Sequence, residues 1–191
     1  MDIFVIHLPH RKDREEWFTS EFKRVKIEPI IVYGHKTEPG WKGCRDAHLN
    51  LMNFADDMFT IFEDDVEFVG APRDYNRAVA QLPEDWDCLY MGGSPQSPQE
   101  KYSPNLFKAT DTLTTHAIMW NKRKGGAVEY ILEHREEVGK IDVFLKDVIQ
   151  PKFNCFAMYP QMCVQHEGLG TDTCKRSDVR IMRENAKLYY V

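Results

Sequence analysis

The stretch Phe59-Thr60-Ile61-Phe62-Glu63-Asp64-Asp65-Val66 decides how the rest of the chain is read. An apolar run of strand length delivers three consecutive acidic residues to its C-terminal end. Water solvates a carboxylate far better than a sheet interior does, so three crowded at a strand end repel and are poorly solvated. A divalent cation relieves that cost. Hard ions such as Mg²⁺ or Mn²⁺ take oxygen ligands, commonly one or two carboxylates plus the phosphates of a substrate. In an open α/β sheet, ligands bind just beyond the carboxyl ends of the strands, where this cluster falls. A solvated acidic turn after an edge strand is the competing reading of the triplet taken alone.

Upstream, Ile3 to Leu8 reads as a buried strand, followed by Pro9-His10-Arg11-Lys12 and a helix with Trp17, Phe18, Phe22 and Val25 on its buried face. Asp13 with Glu16 three residues on has the form of a capping box. Ile30 to Tyr33 is a second strand, stopped at Gly34. A helix from about Lys42 puts Cys44, Ala47, His48, Leu51 and Phe54 or Ala55 on one face. Downstream, Pro72 opens a helix from its first position. Cys88 to Met91 is a fourth strand, halted by Gly92-Gly93. Ser94 to Asn105, rich in Pro, Ser and Gln, reads as a long mobile loop. Phe107 to Ala109 and Thr114 to Trp120 read as strands able to pair antiparallel, with Asn121 capping the helix after them. Ile141-Asp142 begins another helix, Cys155 to Met158 another strand, and the tail from about residue 165 reads as polar and irregular. Alternating β and α elements imply a parallel sheet with crossover helices, made mixed by the second half. The expectation is an α/β fold in one domain over residues 1–191, its mixed, mostly parallel central sheet flanked by helices.

At 191 residues and 42% hydrophobic content, the chain can bury one substantial core. Its formal net charge of −5 argues against a nucleic-acid binder, which carries a basic face. A site for a phosphorylated ligand must therefore draw on local Arg and Lys or on a metal. No apolar stretch approaches the ~20 residues of a membrane span, and the opening run Met1 to Ile6 is too short for a signal peptide. The five cysteines are scattered without a CxxC pair, which argues against a disulfide framework or zinc knuckle. Cys44, Cys88 and Cys155 sit in apolar surroundings and read as small core residues. A cytoplasmic chain with reduced thiols is expected.

Several separated segments match one pattern. Ile6-His7-Leu8 with Arg11, Asp13 and Arg14 resembles an opening "INL…R…DR". Gly43-Cys44-Arg45-Asp46-Ala47-His48 resembles "GC..SH", with Ala47 where serine is usual, and Phe62-Glu63-Asp64-Asp65-Val66 resembles "LEDDV". Asp85-Trp86-Asp87, Thr115-His116-Ala117 with Gly126-Ala127, and Ile141-Asp142 continue the match in order. Over roughly residues 3 to 166 the chain thus resembles glycosyltransferase family 25, the lipopolysaccharide-type and collagen-type galactosyltransferases. Gln165-His166-Glu167-Gly168 and Thr171-Asp172 depart from that family's tail. The resemblance implies a GT-A-like, Rossmann-related fold and an inverting, metal-dependent transferase. Its donor would be a nucleotide-diphosphate sugar, most often a UDP-hexose, and its acceptor a glycan, lipid-linked or glycoprotein hydroxyl.

In a continuing strand Glu63 and Asp65 face one side and Asp64 the other. On the resemblance, Asp65 is the direct ligand of Mn²⁺ or Mg²⁺, Glu63 the inner position touching metal water or ribose, and Asp64 an acceptor for a ribose or sugar hydroxyl. His166 is the third protein ligand on that resemblance, as a late histidine in a segment able to fold over the nucleotide; a surface histidine with no role is the alternative reading. His7 and Leu8 end the first strand as candidate nucleotide contacts, His7 by stacking near the base; Arg11 and Arg14 follow it, where the family places nucleotide contacts, and guanidinium forks suit phosphate oxygens. For Arg14 a solvated helix start is an equal alternative. Gly34 permits close backbone approach or a positive φ, or is an ordinary turn glycine. His48, on an apolar helix face, reads by itself as a core residue. The resemblance sets it beside the donor, with Arg45 three residues earlier on the same helix. Asp142 reads from sequence as a helix N-cap, and from the resemblance as the general base for the acceptor hydroxyl. Gly92-Gly93 and the following loop are expected to edge the sugar or acceptor pocket as a lid. The rivals are a non-catalytic nucleotide-sugar-binding domain and a metal-dependent phosphohydrolase, the latter lacking an Asp-x-Asp register.

Overall fold

The apolar run before the acidic triplet becomes an inner strand because helices or sheet neighbours cover both of its faces: Phe59, Thr60, Ile61 and Phe62 are all buried. The structure, a computed structural model, describes residues 1–172 and 179–190. In chain order its elements are β1 (Asp2–His7), α1 (Lys12–Val25), β2 (Ile30–Tyr33), α2 (Gly40–Phe54), β3 (Met58–Glu63) and β4 (Val66–Phe68). Then follow α3 (Pro72–Val79), β5 (Cys88–Tyr90), β6 (Ser94–Pro95), β7 (Lys101–Ser103), β8 (Leu106–Lys108) and β9 (Thr112–Leu113). The last are β10 (Ala117–Asn121), α4 (Ala127–Glu133), α5 (Ile141–Phe144), β11 (Cys155–Met158), β12 (Cys163–Gln165) and α6 (Val179–Tyr189).

Eight strands form the central sheet in the order β2-β1-β3-β10-β5-β11-β8-β7. Six point one way, and β10 and β8 run against them. The mostly parallel, mixed sheet flanked by helices is therefore as the sequence implies. Period-2 alternation sends Phe4, Ile6, Phe59 and Ile61 to one face, against Met52 of α2, Ile131 of α4 and Phe144 of α5. Val5, Phe62 and Leu89 go to the other face, against Phe18 and Phe22 of α1 and Ala78 of α3. No helix among the described residues is long and apolar enough to cross a membrane.

Five local expectations are corrected. The α1 N-terminus has no side-chain cap. Asp13 instead accepts two bonds from the Arg11 guanidinium, at 2.9 and 2.7 Å. β8 and β10 do not pair: all five residues of β10 are buried, so it lies between β3 and β5, while β8 pairs with β11 and β7. The stretch from Ser94 to Asn105 is a ribbon containing β6 and β7 rather than a loop. Its polar side chains take over backbone bonding, and buried Gln99 accepts from Thr110 N at 3.0 Å and Thr112 Oγ1 at 3.2 Å. The α4 N-terminus is held by Asp87, whose Oδ1 accepts from Gly126 N and Ala127 N at 2.7 and 2.8 Å, not by Asn121. The tail includes β12 and α6 and buries Ala186 and Tyr190 against the core.

Candidate active site at the strand ends

β1, β2 and β3 are parallel and in register, with Ile6 opposite Glu63 and His7 opposite Tyr33, so their C-terminal ends share one edge of the sheet. A cleft opens there, enclosing about 800 Å³ with its open mouth. Leu8, Arg14 and the acidic triplet line one side, the 34–38 loop with Gly43 and Cys44 of α2 another, and Gln165 with Thr171 and Asp172 a third.

The chain leaves β3 at Glu63 and turns, so the three carboxylates point to different partners rather than alternating. Asp64 is buried and fully engaged. Its Oδ2 accepts from His7 Nδ1 at 2.8 Å and Leu8 N at 3.4 Å, and its Oδ1 from Arg14 at 2.5 Å. Asp65 Oδ2 lies 3.3 Å from the Arg14 guanidinium and 3.3 Å from the Gln165 amide nitrogen. Asp65 Oδ1 is buried with no hydrogen-bond partner among the described residues. Glu63 Oε1 accepts from Thr115 Oγ1 at 2.6 Å and lies 3.3 Å from His48 Nε2 and 3.9 Å from Cys44 Sγ.

The electrostatics divide the acids. Burial pushes the Asp65 carboxyl well above the usual carboxylate range; the Glu63 charge adds to this and Arg14 only partly offsets it. Burial also raises Glu63, but the hydrogen bond and charge of His48 and the Thr115 hydroxyl outweigh it and hold Glu63 low. Arg14 loses solvation, yet the charges of Asp65 and Asp64 keep it above its ordinary value. Asp65 is thus a buried carboxylate short of positive charge, with one free oxygen. That donor chemistry fits a divalent oxygen-seeking cation, with Asp65 as the group to hold it.

The other expected residues fall out unevenly. His7 is buried beside Phe18 and Tyr33 and orients Asp64, leaving no face for a base to stack on. Arg11 is tied to Asp13, Asp172 and the Leu169 carbonyl, and Arg14 also donates to the Gly170 carbonyl, so both arginines anchor the tail. Gly34 lines the cleft as an ordinary turn glycine. Its φ is not positive, and an added Cβ would meet Leu8 Cδ2 at a comfortable 3.4 Å. Arg45 is held by Asp46 and the Val138 carbonyl and is not part of the cleft lining. His48 joins Glu63 rather than the cleft surface. The His166 ring stacks on Trp17 at 3.7 Å with Nδ1 3.3 Å from Glu67, apart from the carboxylates of Asp65 and Glu63. Only its backbone N–H reaches Asp65, at the carbonyl.

Asp142 lies in the first turn of α5, where Lys140 holds the N-cap position. Burial raises its carboxyl, the Val143 N–H it accepts at 2.9 Å lowers it, and the Glu63 charge raises it further. Asp142 thus interacts electrostatically with Glu63 and is not part of the cleft lining. Sequence reading missed Gln165 and Thr115 as partners of the acids and the 35–38 loop as a cleft wall. The signals were present only as an unexplained Thr115-His116 match and a polar run after the second strand.

No family model matches the chain, and no curated protein matches it at a meaningful level. Solved structures do. A glycosyltransferase involved in glycosylation of the major capsid of PBCV-1 is 10% identical, with 98% of each chain covered and a TM-score of 0.50. A putative glucose-1-phosphate thymidylyltransferase from Bacillus anthracis is 14% identical over all of this chain and 77% of its own, at 0.49. A Drosophila β-1,4-galactosyltransferase 7 mutant, in complex with manganese, UDP-Gal and xylobiose, is 10% identical over 94% and 77%, at 0.48. The first of these overlaps end to end, and with the sheet order it defines the class: the fold is GT-A-like.

Proposed function

We propose that the chain is a metal-dependent, inverting glycosyltransferase related to family 25, acting as one domain on a nucleotide-diphosphate sugar, a UDP-hexose before others. The observation that carries this reading is the unpartnered Asp65 Oδ1, buried at the floor of a cleft formed by parallel strand ends. Asp65 would hold a Mn²⁺ or Mg²⁺ ion, whose chemistry there would be to offset the charge of the diphosphate leaving group. Arg14 and Asp64 hold the Asp65 side chain in place, and His7 fixes Asp64 in turn. The 34–38 loop lines the cleft beside the acidic strand end, and on this reading it receives the base and ribose of the nucleotide. Asp142, half-buried and raised in pKa, is suited to take the proton of the acceptor hydroxyl. The end-to-end likeness to a capsid-glycosylating transferase agrees with a glycan, lipid-linked or glycoprotein acceptor.

A phosphohydrolase with an aspartyl nucleophile fits less well, because both oxygens of Asp64 are occupied by His7 and Arg14. The test is calorimetric titration with UDP, UDP-glucose, UDP-galactose and GDP- and CMP-sugars, each with Mn²⁺ and with EDTA. Metal-dependent binding of one nucleotide class is expected. Folded protein that binds none of them sinks the proposal.

A further inference from the structure

Glu63 turns its Oε1 away from Asp65 toward α2, and the group it meets there has a chemistry of its own. Cys44, His48 and Glu63 present one sulfur, one imidazole nitrogen and one carboxylate oxygen, all within 4.8 Å of one another. Oxygen to nitrogen is 3.3 Å and oxygen to sulfur 3.9 Å. The ligand edges of a tetrahedral Zn²⁺, from its usual bond lengths, are about 3.4 Å for N···O and about 3.6 Å for S···O. Two of the three edges thus already stand near those of such a site, and the sulfur–nitrogen edge, within 4.8 Å, closes to about 3.6 Å when an ion draws the Cys44 sulfur in.

We propose that Cys44, His48 and Glu63 form a binding site for a thiophilic divalent cation of the Zn²⁺ class, distinct from the oxygen site at Asp65. The residue types select the metal. A thiol and an imidazole suit Zn²⁺ or Co²⁺ and are poor ligands for Mg²⁺. Local structure supports the arrangement. Cys44 and His48 are four residues apart on α2 and face the sheet together. Thr115 Oγ1 donates to the liganding carboxylate oxygen at 2.6 Å and fixes its orientation, as groups behind a metal ligand commonly do. The His48 ring is 1% exposed, so it is held in place. Cys44 and Glu63 line the cleft, which gives an ion its route in and leaves the fourth corner for water or a ligand. On binding, the Cys44 thiol gives its proton to solvent and the thiolate takes its place in the ligand set.

The experiment uses Co²⁺ as the probe on metal-free protein under reducing conditions. Wild type is expected to bind one equivalent with a near-ultraviolet thiolate-to-cobalt band and the intense visible bands of four-coordinate Co²⁺. Zn²⁺ should erase both signals, and a large excess of Mg²⁺ should not. Cys44→Ser should lose the thiolate band, and His48→Gln should weaken Co²⁺ binding by more than the ~10–100-fold that loss of a group behind a ligand costs, each with an unchanged circular dichroism spectrum. Asp65→Asn should keep the thiolate band, which separates this site from the proposed nucleotide-metal site. Absence of the band in wild type, or its survival in Cys44→Ser, overturns the proposal whatever the nucleotide titrations show.

Discussion

Asp65 and Asp142 show how one residue's surroundings can be read as a function. The Asp65 carboxyl is raised above its unfolded-state value, so its favourable share of stability is complete below that value. The share is lost as pH rises through the folded-state one. Above neutral pH the metal-free protein therefore holds an ionised, under-compensated carboxylate. Asp65→Asn should stabilise metal-free protein at pH 8 by about 1–3 kcal/mol, the scale of an unsatisfied buried polar group. The same change should abolish Mn²⁺-dependent nucleotide binding. Thermal melts with and without Mn²⁺ read both effects. A variant that melts lower without metal and still binds UDP with Mn²⁺ would remove Asp65 from the site. Asp142→Asn keeps size and polarity but cannot accept a proton. Single-turnover transfer should slow by roughly 10²–10⁴-fold, with nucleotide affinity within a few-fold of wild type. Equal transfer rates would leave Asp142 as part of the α5 first turn and nothing more.

At the scale of elements, the approach of α2 to the cleft wall depends on one glycine. A Cβ on Gly43 would lie 2.2 Å from the His35 carbonyl oxygen and 3.1 Å from Thr37 Oγ1, which itself accepts from Gly43 N at 2.8 Å. Gly43→Ala must push the 35–37 backbone off the helix, at a cost of about 1–3 kcal/mol for overpacking. Urea unfolding should show that loss, and nucleotide binding should weaken because the displaced loop lines the cleft; unchanged midpoint and affinity would mean that the loop moves freely. Sequence pointed to the wrong glycine, Gly34, because a glycine after a strand suggests backbone freedom, whereas the fold-back of a loop onto the helix that follows it leaves no periodic trace. The strands β1, β2 and β3 were legible because their apolar runs are short and bounded by turn or acidic residues, whereas the short β4 that follows β3 was not. The 94–105 ribbon was not: its order comes from Gln99 bonding to Thr110, Thr112 and the chain at Tyr189, none of which local composition encodes.

For the whole molecule, the sheet and the acidic edge were legible, but the direction in which each carboxylate points was not. That direction depends on the turn after Glu63 and on partners up to a hundred residues away, such as Gln165 at Asp65. The same long-range assembly sets the response to acid. His116, just before β10, gives its carbonyl to the Glu63 N–H at 3.0 Å and lies in the core. Burial lowers the His116 ring to about 4 from 6.5, with the Glu63 charge opposing that shift only in part. A histidine depressed in the folded state contributes stability that is whole above the unfolded value and is lost as pH falls through the folded one. Between pH 6.5 and about 4, the unfolded chain takes up a proton that the folded chain refuses. The full loss is roughly 3 kcal/mol at 1.36 kcal/mol per unit. Asp65 works against this trend, since its protonation on acidification relieves the buried charge, so the bare wild-type profile mixes two opposing slopes. The difference between wild type and His116→Asn isolates one. Urea unfolding at pH 7.5, 6, 5 and 4.5 should show wild type losing stability relative to the variant as pH falls, with the gap opening below about 6.5. A constant gap across that range would mean that His116 titrates alike in both states, and that its burial carries no electrostatic cost.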